Sequence, residues 1–309
     1  MMQGGSTWPS NTTATSLQSP HNAWALYELS YSLFAKGDFQ QSLDVALQGT
    51  DYDSPYLERF YLMAANNLDN LGRSKEAIAV YERAIEEFPD EFLLHYNLGV
   101  TQYGLGEIKS AKENFKAAVA LEPTHPSSHL ALASILQREQ NNVVALFALT
   151  RFLTLEPQSP RSENARNQLL SIMQGGAKRD PSHSNQINIT LNPNTPKDEG
   201  DFGAAEVMLG MLAASRLSKQ STSAHNPSED LVESFRSLFQ VLSELPAEDR
   251  SGFGWEYYAP YFMELQRQQL VPSLLQHIFP NMVFKNALPH KFLKWSEDYR
   301  WPAVRPTGD

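Results

Sequence analysis

Hydrophobic and polar positions alternate with a helical period over most of the chain, beginning near Asn22. Apolar residues recur three or four positions apart, which is the spacing of one face of a helix. Short breaks rich in Gly, Pro and polar residues separate these stretches. The pattern therefore predicts a series of short helices and an all-α fold.

The helical stretches repeat between about Ala23 and Pro157. Glycines mark the turn between two helices of a pair at Gly37, Gly72 and Gly106. Small residues recur inside the first helix of each pair at Ser30, Ala65, Gly99 and Ala133, and inside the second at Ser42, Ala77, Ala111 and Ala145. Prolines end successive repeats 34 residues apart at Pro89, Pro123 and Pro157. Small residues suit a close helix–helix approach, and Gly accepts the left-handed conformation of such a turn.

These positions together resemble the tetratricopeptide repeat (TPR) family, whose period is 34 residues. The resemblance covers four repeats in the N-terminal half and implies an α-α superhelical solenoid. It departs in the fourth repeat, where Gln140 replaces the turn glycine and Phe152 replaces a small residue. Both departures predict a terminal repeat that packs against something other than another hairpin.

The rest of the chain resembles no family that we recognise. A helix from Ser159-Pro160 to about Met173 is expected to cap the solenoid, because the last repeat would otherwise expose an apolar face. Residues 175–201 are rich in Gly, Asn, Pro and Asp, with one possible short strand at 186–191. The predicted organisation is a flexible tail (1–21), four TPR hairpins with a capping helix (22–174), a linker (175–201) and a small helical C-terminal module (202–309).

In a TPR solenoid the first helix of each hairpin lines the concave face. The repeat register projects onto it a peptide-binding groove formed by Tyr27, Tyr31, Leu62, Asn66, Tyr96, Asn97, Tyr103, Leu130 and Ser134. Family members that bind chaperone C-termini use a clamp of two Asn with Lys and Arg. Asn66 and Asn97 match the Asn positions, but Leu62, Ser127 and Ala131 occupy the basic ones. A chaperone tail is therefore rejected, and a polypeptide of this chain or of another protein is the expected occupant.

Charge and composition narrow the functional classes. A net charge of -10 and a pI of about 5.3 argue against binding to nucleic acid or anionic lipid. The absence of cysteine excludes disulfides and thiolate chemistry. No apolar run approaches the ~18 residues that cross a bilayer, so no membrane insertion is expected. The N-terminus lacks signal-peptide features. The sequence does not determine the cellular compartment, and the cytoplasm is the default expectation unless a leader was removed.

The sequence contains no complete catalytic, metal-binding or phosphate-binding motif, so no cofactor or metal is expected. His125 and His129 are four residues apart, but Pro126 lies between them and no Glu completes a zinc motif. The segment Gly104–Ser110 lacks the Gly-Lys-Ser/Thr element of a phosphate loop. The sequence therefore predicts a non-enzymatic scaffold for protein–protein interaction, with self-assembly through exposed end repeats as a further hypothesis.

An aromatic cluster leaves one alternative open. It comprises Phe253, Trp255, Tyr257, Tyr258, Tyr261 and Phe262. Large aromatic residues dominate protein cores, which favours a structural role. The alternative is an enzyme or carbohydrate-binding protein whose site lies in the C-terminal module. This alternative needs a polar group beside exposed rings, for which the nearby candidates are Glu256, Glu264 and Arg267.

Overall fold

The computed structural model describes residues 20–183, 186–189, 197–219 and 226–303. The predicted tail, residues 1–21, lies outside this range except for Pro20 and His21, with which the first helix begins. The described chain is almost entirely helical, which confirms the predicted all-α class. It divides into two compact units between Asn114 and Phe115, and each unit is described by itself.

Helical hairpins account for the described chain up to residue 155. Their helices are α1 (Pro20–Lys36), α2 (Phe39–Gly49), α3 (Leu57–Asn70), α4 (Ser74–Glu87), α5 (Phe92–Gly104), α6 (Ile108–Leu121), α7 (Pro126–Arg138) and α8 (Asn142–Leu155). In the first unit α1 packs on α2, α3 on α4, and the first helices also contact each other, α1 on α3 and α3 on α5. This layer of first helices is the feature that positions the predicted groove.

Small residues permit the close approach inside the first hairpin. Ser30 and Ser42 are fully buried, and the hydroxyl of Ser42 donates to the carbonyl of Ser30 at 2.7 Å. The amide of Asn67 donates to the Ser42 hydroxyl at 2.8 Å, which links the second hairpin to the first. Around this network lies an apolar core that includes Leu43, Ala46, Tyr61, Met63, Ala64, Ala65, Leu68, Ala77, Val80, Tyr81, Ala84, Leu94 and Leu98.

The turns between paired helices share one backbone geometry. Gly37, Gly72 and Gly106 have φ of 85°, 75° and 82°, the left-handed region that the sequence predicts for them. Gln140 takes φ 61° at the same point of the fourth hairpin. The next residue, Asn141, donates its N–H to the carbonyl of Leu136 at 2.9 Å, as the equivalent residues of the other turns do. The fourth hairpin therefore keeps the turn without its glycine.

Replacing Gln140 by Gly is expected to raise the free energy of unfolding by about 0.5–1 kcal/mol, because a left-handed conformation strains a residue with a Cβ. Urea denaturation of the two proteins measures the change. Gly106→Ala is the converse control, since φ there is also positive and a Cβ would meet no atom within 4 Å. That control should lose stability, and a loss in Gln140→Gly as well would contradict the strain argument.

The second unit continues beyond the hairpins with further helices and a two-stranded sheet. Its elements are α9 (Pro160–Gln174), β1 (Ala177–Arg179), β2 (Ile187–Ile189), α10 (Gly203–Lys219), α11 (Pro227–Glu244), a 3₁₀ turn (Ala247–Asp249), a π-helical turn (Gly254–Tyr258), α12 (Ala259–Arg267), α13 (Val271–Ile278) and α14 (Pro289–Asp298). The strands are antiparallel, with Ala177 opposite Ile189, and both contact α10. The short strand expected at 186–191 is thus β2 as far as residue 189, and residues beyond it lie outside the described range.

Two local features position the C-terminal elements. Asn226 is the N-cap of α11, because its side chain accepts the N–H of Ser228 at 3.1 Å. Residues Gly252–Gly254 form a tight junction. The N–H of Gly254 donates to the carbonyl of Glu199 at 2.8 Å, and a Cβ on Gly252 would lie 2.7 Å from the nitrogen of Gly200.

The end of the predicted linker is part of the same junction. The Glu199 side chain is fully buried and accepts a hydrogen bond from Lys116 at 3.3 Å. The indole of Trp255 donates to the carbonyl of Asp201 at 3.0 Å. Residues 199–201 therefore anchor the C-terminal elements rather than only connecting them.

Helix α8 lies at the centre of the second unit. Every residue from Val143 to Thr154 is buried, and α8 contacts α7, α9, α10, α13 and the π-helical turn. Phe147 stacks on Phe262 with ring centroids 4.7 Å apart. This packing explains an apolar helix without a polar face. Helix α9 packs on α8, as expected of a capping helix, but α10, α13 and the π-helical turn also pack on α8. The domain boundaries given above remain a prediction.

Candidate peptide-binding face

The first unit holds seven of the nine predicted groove residues, all on its first helices. Tyr27 and Tyr31 lie on α1, Leu62 and Asn66 on α3, and Tyr96, Asn97 and Tyr103 on α5. The other two lie on α7 in the second unit. Leu130 is half-buried there, and the exposed Ser134 donates its hydroxyl to the carbonyl of Leu130 at 2.9 Å.

The two asparagines are hydrogen-bonded to each other in what we name the amide bridge, formed by Asn66, Asn97 and Tyr81. Asn66 Oδ1 accepts from Asn97 Nδ2 at 3.1 Å and from the Tyr81 hydroxyl at 2.5 Å. Burial raises the pKa of Tyr81 well above its ordinary value, so its hydroxyl stays protonated and donates. The bridge therefore fixes the orientation of the Asn66 amide.

Fixing one end of each amide leaves the other end available. Among the described residues, Asn66 Nδ2 and Asn97 Oδ1 have no hydrogen-bond partner, and both side chains are only half-buried. One is a donor and the other an acceptor. A peptide group carries the complementary carbonyl and N–H. The amide bridge thus leaves one donor and one acceptor, the pair of groups that a peptide unit complements.

An aromatic patch, which we define as Trp24, Tyr27, Tyr31 and Tyr56, lies on α1 and at the start of α3. Trp24 contacts Tyr27 and Tyr56, with ring centroids 6.0 and 5.5 Å apart, and Tyr27 contacts Tyr31 at 6.4 Å. The guanidinium of Arg59 lies 5.6 Å from the Tyr27 ring centre and 5.8 Å from that of Tyr56. Tyr31 is 53% exposed and Trp24 is 44% exposed. The patch is therefore a preformed surface of contacting rings.

Sequence reasoning missed three residues of this surface, Trp24, Tyr56 and Arg59. Trp24 precedes Tyr27 and Tyr31 by one and two helical turns, so the helical period could have placed it on the same face. Tyr56 comes just before α3, where no periodicity applies. Arg59 is a charged residue at the start of a helix, which by itself indicates only a solvated position.

Comparison with known proteins gives matches within the hairpins. A family model described as TPR repeat matches residues 70–106, and one described as tetratricopeptide repeat matches residues 94–125. The chain carries tetratricopeptide repeats. This confirms the resemblance that the repeat register indicates.

Solved TPR structures are similar to this chain in part. The first TPR domain of Spaghetti (RPAP3), bound to an HSP90 peptide, shows 21% identity and a TM-score of 0.37, covering 39% of this chain and 95% of that one. MamA from Desulfovibrio magneticus RS-1 shows 16% identity and a TM-score of 0.41, covering 49% and 93%. A TPR protein from Parabacteroides merdae shows 14% identity and a TM-score of 0.42, covering 84% and 99%. Comparison with curated protein sequences gave no match.

The C-terminal aromatic cluster is core and not surface. Trp255 is 3% exposed and Tyr258 is fully buried. The hydroxyl of Tyr257 donates to the carbonyl of Val119 at 2.8 Å, so the cluster joins the C-terminal elements to the last TPR hairpins. Rings buried in this way cannot stack on a ligand at the surface.

The polar candidates beside this cluster do not converge. Glu264 pairs with Arg267 on the surface, and hydrogen bonding by this guanidinium lowers the pKa of Glu264. Glu256 is exposed and accepts the N–H of Gly252 at 3.1 Å. Within the described part of the chain, no group of three His, Asp or Glu side chains lies close enough to hold a metal ion. Nor is any described helix sufficiently long and apolar to span a membrane.

Two histidines that the sequence singled out have ordinary hydrogen-bond partners. His129 is fully buried, donates from Nε2 to the carbonyl of Pro123 at 3.0 Å, and accepts the Tyr258 hydroxyl on Nδ1 at 2.7 Å. Burial, reinforced by the positive charge of Arg151, lowers the pKa of His129 to about 3. His125 lies 2.7 Å from the Ser128 hydroxyl. His129 is thus a neutral link between the TPR hairpins and the C-terminal cluster.

Proposed function

We propose that this TPR protein is a non-enzymatic interaction scaffold that binds an extended polypeptide segment of another protein. The binding surface is the face formed by α1, α3 and α5. The observation that carries the proposal is the amide bridge, which leaves one amide donor and one amide acceptor on first helices that also carry exposed aromatic side chains. Such a surface satisfies a peptide backbone and supplies amphipathic contact area at the same time.

The chemistry of this face favours a backbone over a terminal carboxylate as the ligand. A carboxylate needs cationic partners, and Leu62 takes one of the positions where TPR proteins with a carboxylate clamp carry them. Asn66 and Asn97 supply neutral hydrogen bonds instead. The ligand is therefore expected to pass along the face as an internal segment, with specificity supplied by contacts of its side chains with Tyr27, Tyr31 and Tyr96.

Replacing Asn66 by Asp tests the proposal with a change of one atom. The introduced carboxylate keeps an acceptor for Tyr81 and Asn97 but removes the outward donor, so the bound backbone loses a hydrogen bond and meets a negative charge. We expect recovery of the specific partners from the native host to fall about tenfold, as for a lost interaction of ~1.4 kcal/mol. Quantitative mass spectrometry of material captured on the full chain provides the measurement.

Asn70→Asp is the control, because it adds the same charge to the same helix. Asn70 is exposed and donates to the carbonyl of Asn66 at 2.8 Å, within its own helix. Partners recovered equally by the wild type and Asn70→Asp but lost with Asn66→Asp support the proposal. Equal recovery with all three proteins would refute it.

A further inference from the structure

The aromatic patch is rich in hydrogen-bond donors that the protein itself does not use. Trp24 carries an indole N–H, and Tyr27, Tyr31 and Tyr56 carry hydroxyls. Within the described ranges, none of these groups has a hydrogen-bond partner. Arg59 adds a guanidinium whose nearest acid, Glu58, lies 3.9 Å away. The indole and the guanidinium only donate, whereas the hydroxyls both donate and accept, so donors exceed acceptors on the patch. The patch therefore favours a ligand with more acceptors than donors.

A polyproline II segment has this hydrogen-bonding character. It has no internal hydrogen bonds, so all its carbonyls need outside donors, and proline has no N–H. Its carbonyl oxygens carry partial negative charge, which complements the cationic Arg59. A helical ligand, in contrast, satisfies its own backbone and gains nothing from the unused donors. The unused donors of the patch therefore favour a polyproline II segment over a helical peptide.

Contacting rings also suit such a segment, because proline-rich segments in this conformation dock on aromatic-lined surfaces. The ring centroids of Trp24 and Tyr27 lie 6.0 Å apart and those of Tyr27 and Tyr31 lie 6.4 Å apart, so the three rings form one continuous surface. Because Arg59 and the neighbouring rings already hold Tyr27 and Tyr56, little side-chain freedom is lost on binding.

We infer that the ligand of the TPR face is a proline-rich segment in the polyproline II conformation, which docks on the aromatic patch. The inference rests on the proposed function and narrows it to one class of peptide. Trp24 and Tyr31 supply the exposed contact area, and Arg59 contacts the carbonyls.

Fluorescence anisotropy of a fluorescein-labelled decaproline peptide, titrated with the full chain, tests this inference. A Gly-Ser peptide of equal length and an Ala-rich helical peptide are the comparison probes. Trp24→Ala and Tyr31→Ala should each weaken decaproline binding about fivefold or more, as expected for contacts worth over ~1 kcal/mol. Leu29→Ala is the matched control, since Leu29 is 49% exposed on the same helix outside the patch. Its affinity should stay within about twofold of the wild type.

Preference for decaproline over both comparison probes, lost in the two patch variants and kept in Leu29→Ala, supports the inference. It is overturned if decaproline binds no better than the Gly-Ser peptide, if the helical peptide binds more tightly, or if the patch variants bind as the wild type does. If the decaproline titration fails but Asn66→Asp still loses the native partner in the capture experiment, only the polyproline assignment is wrong. Failure of both experiments removes the proposed function. Circular dichroism confirms that each variant is folded.

Discussion

Replacing Gly254 by Ala is expected to destabilise the second unit by about 3 kcal/mol, the upper end of the usual cost of overpacking. An added Cβ would lie 2.7 Å from Val144 Cγ2 and 2.8 Å from the carbonyl oxygen of Glu199. The carbonyl cannot move away without breaking its hydrogen bond to the N–H of Gly254. The clash therefore displaces the whole junction between residues 199–201 and the π-helical turn.

Chemical denaturation measures the total loss, and hydrogen exchange locates it. Exchange should accelerate in α8, α10 and the π-helical turn, while α3 and α4 keep their protection. Gly104→Ala is the control, because a Cβ there meets nothing within 4 Å and φ is not positive. It should leave stability unchanged or raise it by up to about 1 kcal/mol. If Gly254→Ala is as stable as the wild type, the junction can accommodate the added Cβ and the predicted clash is wrong.

Acidification from pH 7 to pH 5 is expected to lower the free energy of unfolding through His129 by about 2 kcal/mol. The folded protein holds the pKa of His129 near 3, whereas the unfolded chain has the ordinary value of 6.5. Above pH 6.5 the residue is neutral in both states and contributes no pH dependence. Below pH 6.5 the unfolded state binds a proton that the folded state does not, so stability falls by about 1.4 kcal/mol per pH unit.

The variant His129→Gln isolates this contribution, since other groups also titrate over the same range. A glutamine amide retains a donor for the Pro123 carbonyl but binds no proton. Its stability should be lower at pH 7 and should fall less steeply below pH 6.5 than that of the wild type. His290→Gln is the control, because His290 is exposed. Parallel pH profiles for wild type and His129→Gln would mean that folding does not lower the pKa of His129.

The repeat architecture could be predicted from the sequence because the same residue types recur at the same positions of each repeat. A left-handed turn needs glycine, and a close helix crossing needs a small residue, so the register of Gly37, Gly72 and Gly106 places the helices. The same register places Asn66 and Asn97 on neighbouring first helices, which the structure joins through a hydrogen bond. The repeat register does not contain the direction of the Asn66 amide, which the hydroxyl of Tyr81 on α4 sets through its hydrogen bond.

The C-terminal part follows no repeat, so its helices were predictable but their packing was not. Glu199 and Glu206 look like solvated acids in the sequence. Glu199 is buried against Lys116. Glu206 accepts the backbone N–H of Val143 at 3.1 Å and so caps the N-terminus of α8 from another helix, and burial raises its pKa. Both partners lie more than sixty residues away, and no local pattern encodes such contacts.

The burial of α8 on every side limits how this protein can change its number of repeats. Repeat arrays commonly gain or lose units because each hairpin presents the same apolar face to the next. Here the face that a fifth hairpin would need is already occupied by α9, α10, α13 and the π-helical turn. A duplicated repeat inserted after α8 would have to displace these elements, and one inserted between α6 and α7 would separate them from Lys116 and Val119 of α6. A repeat inserted before α5 would leave these contacts in place. Lineages that lengthen this repeat array are therefore expected to add repeats upstream of Phe92 and to keep the third and fourth repeats as the last two.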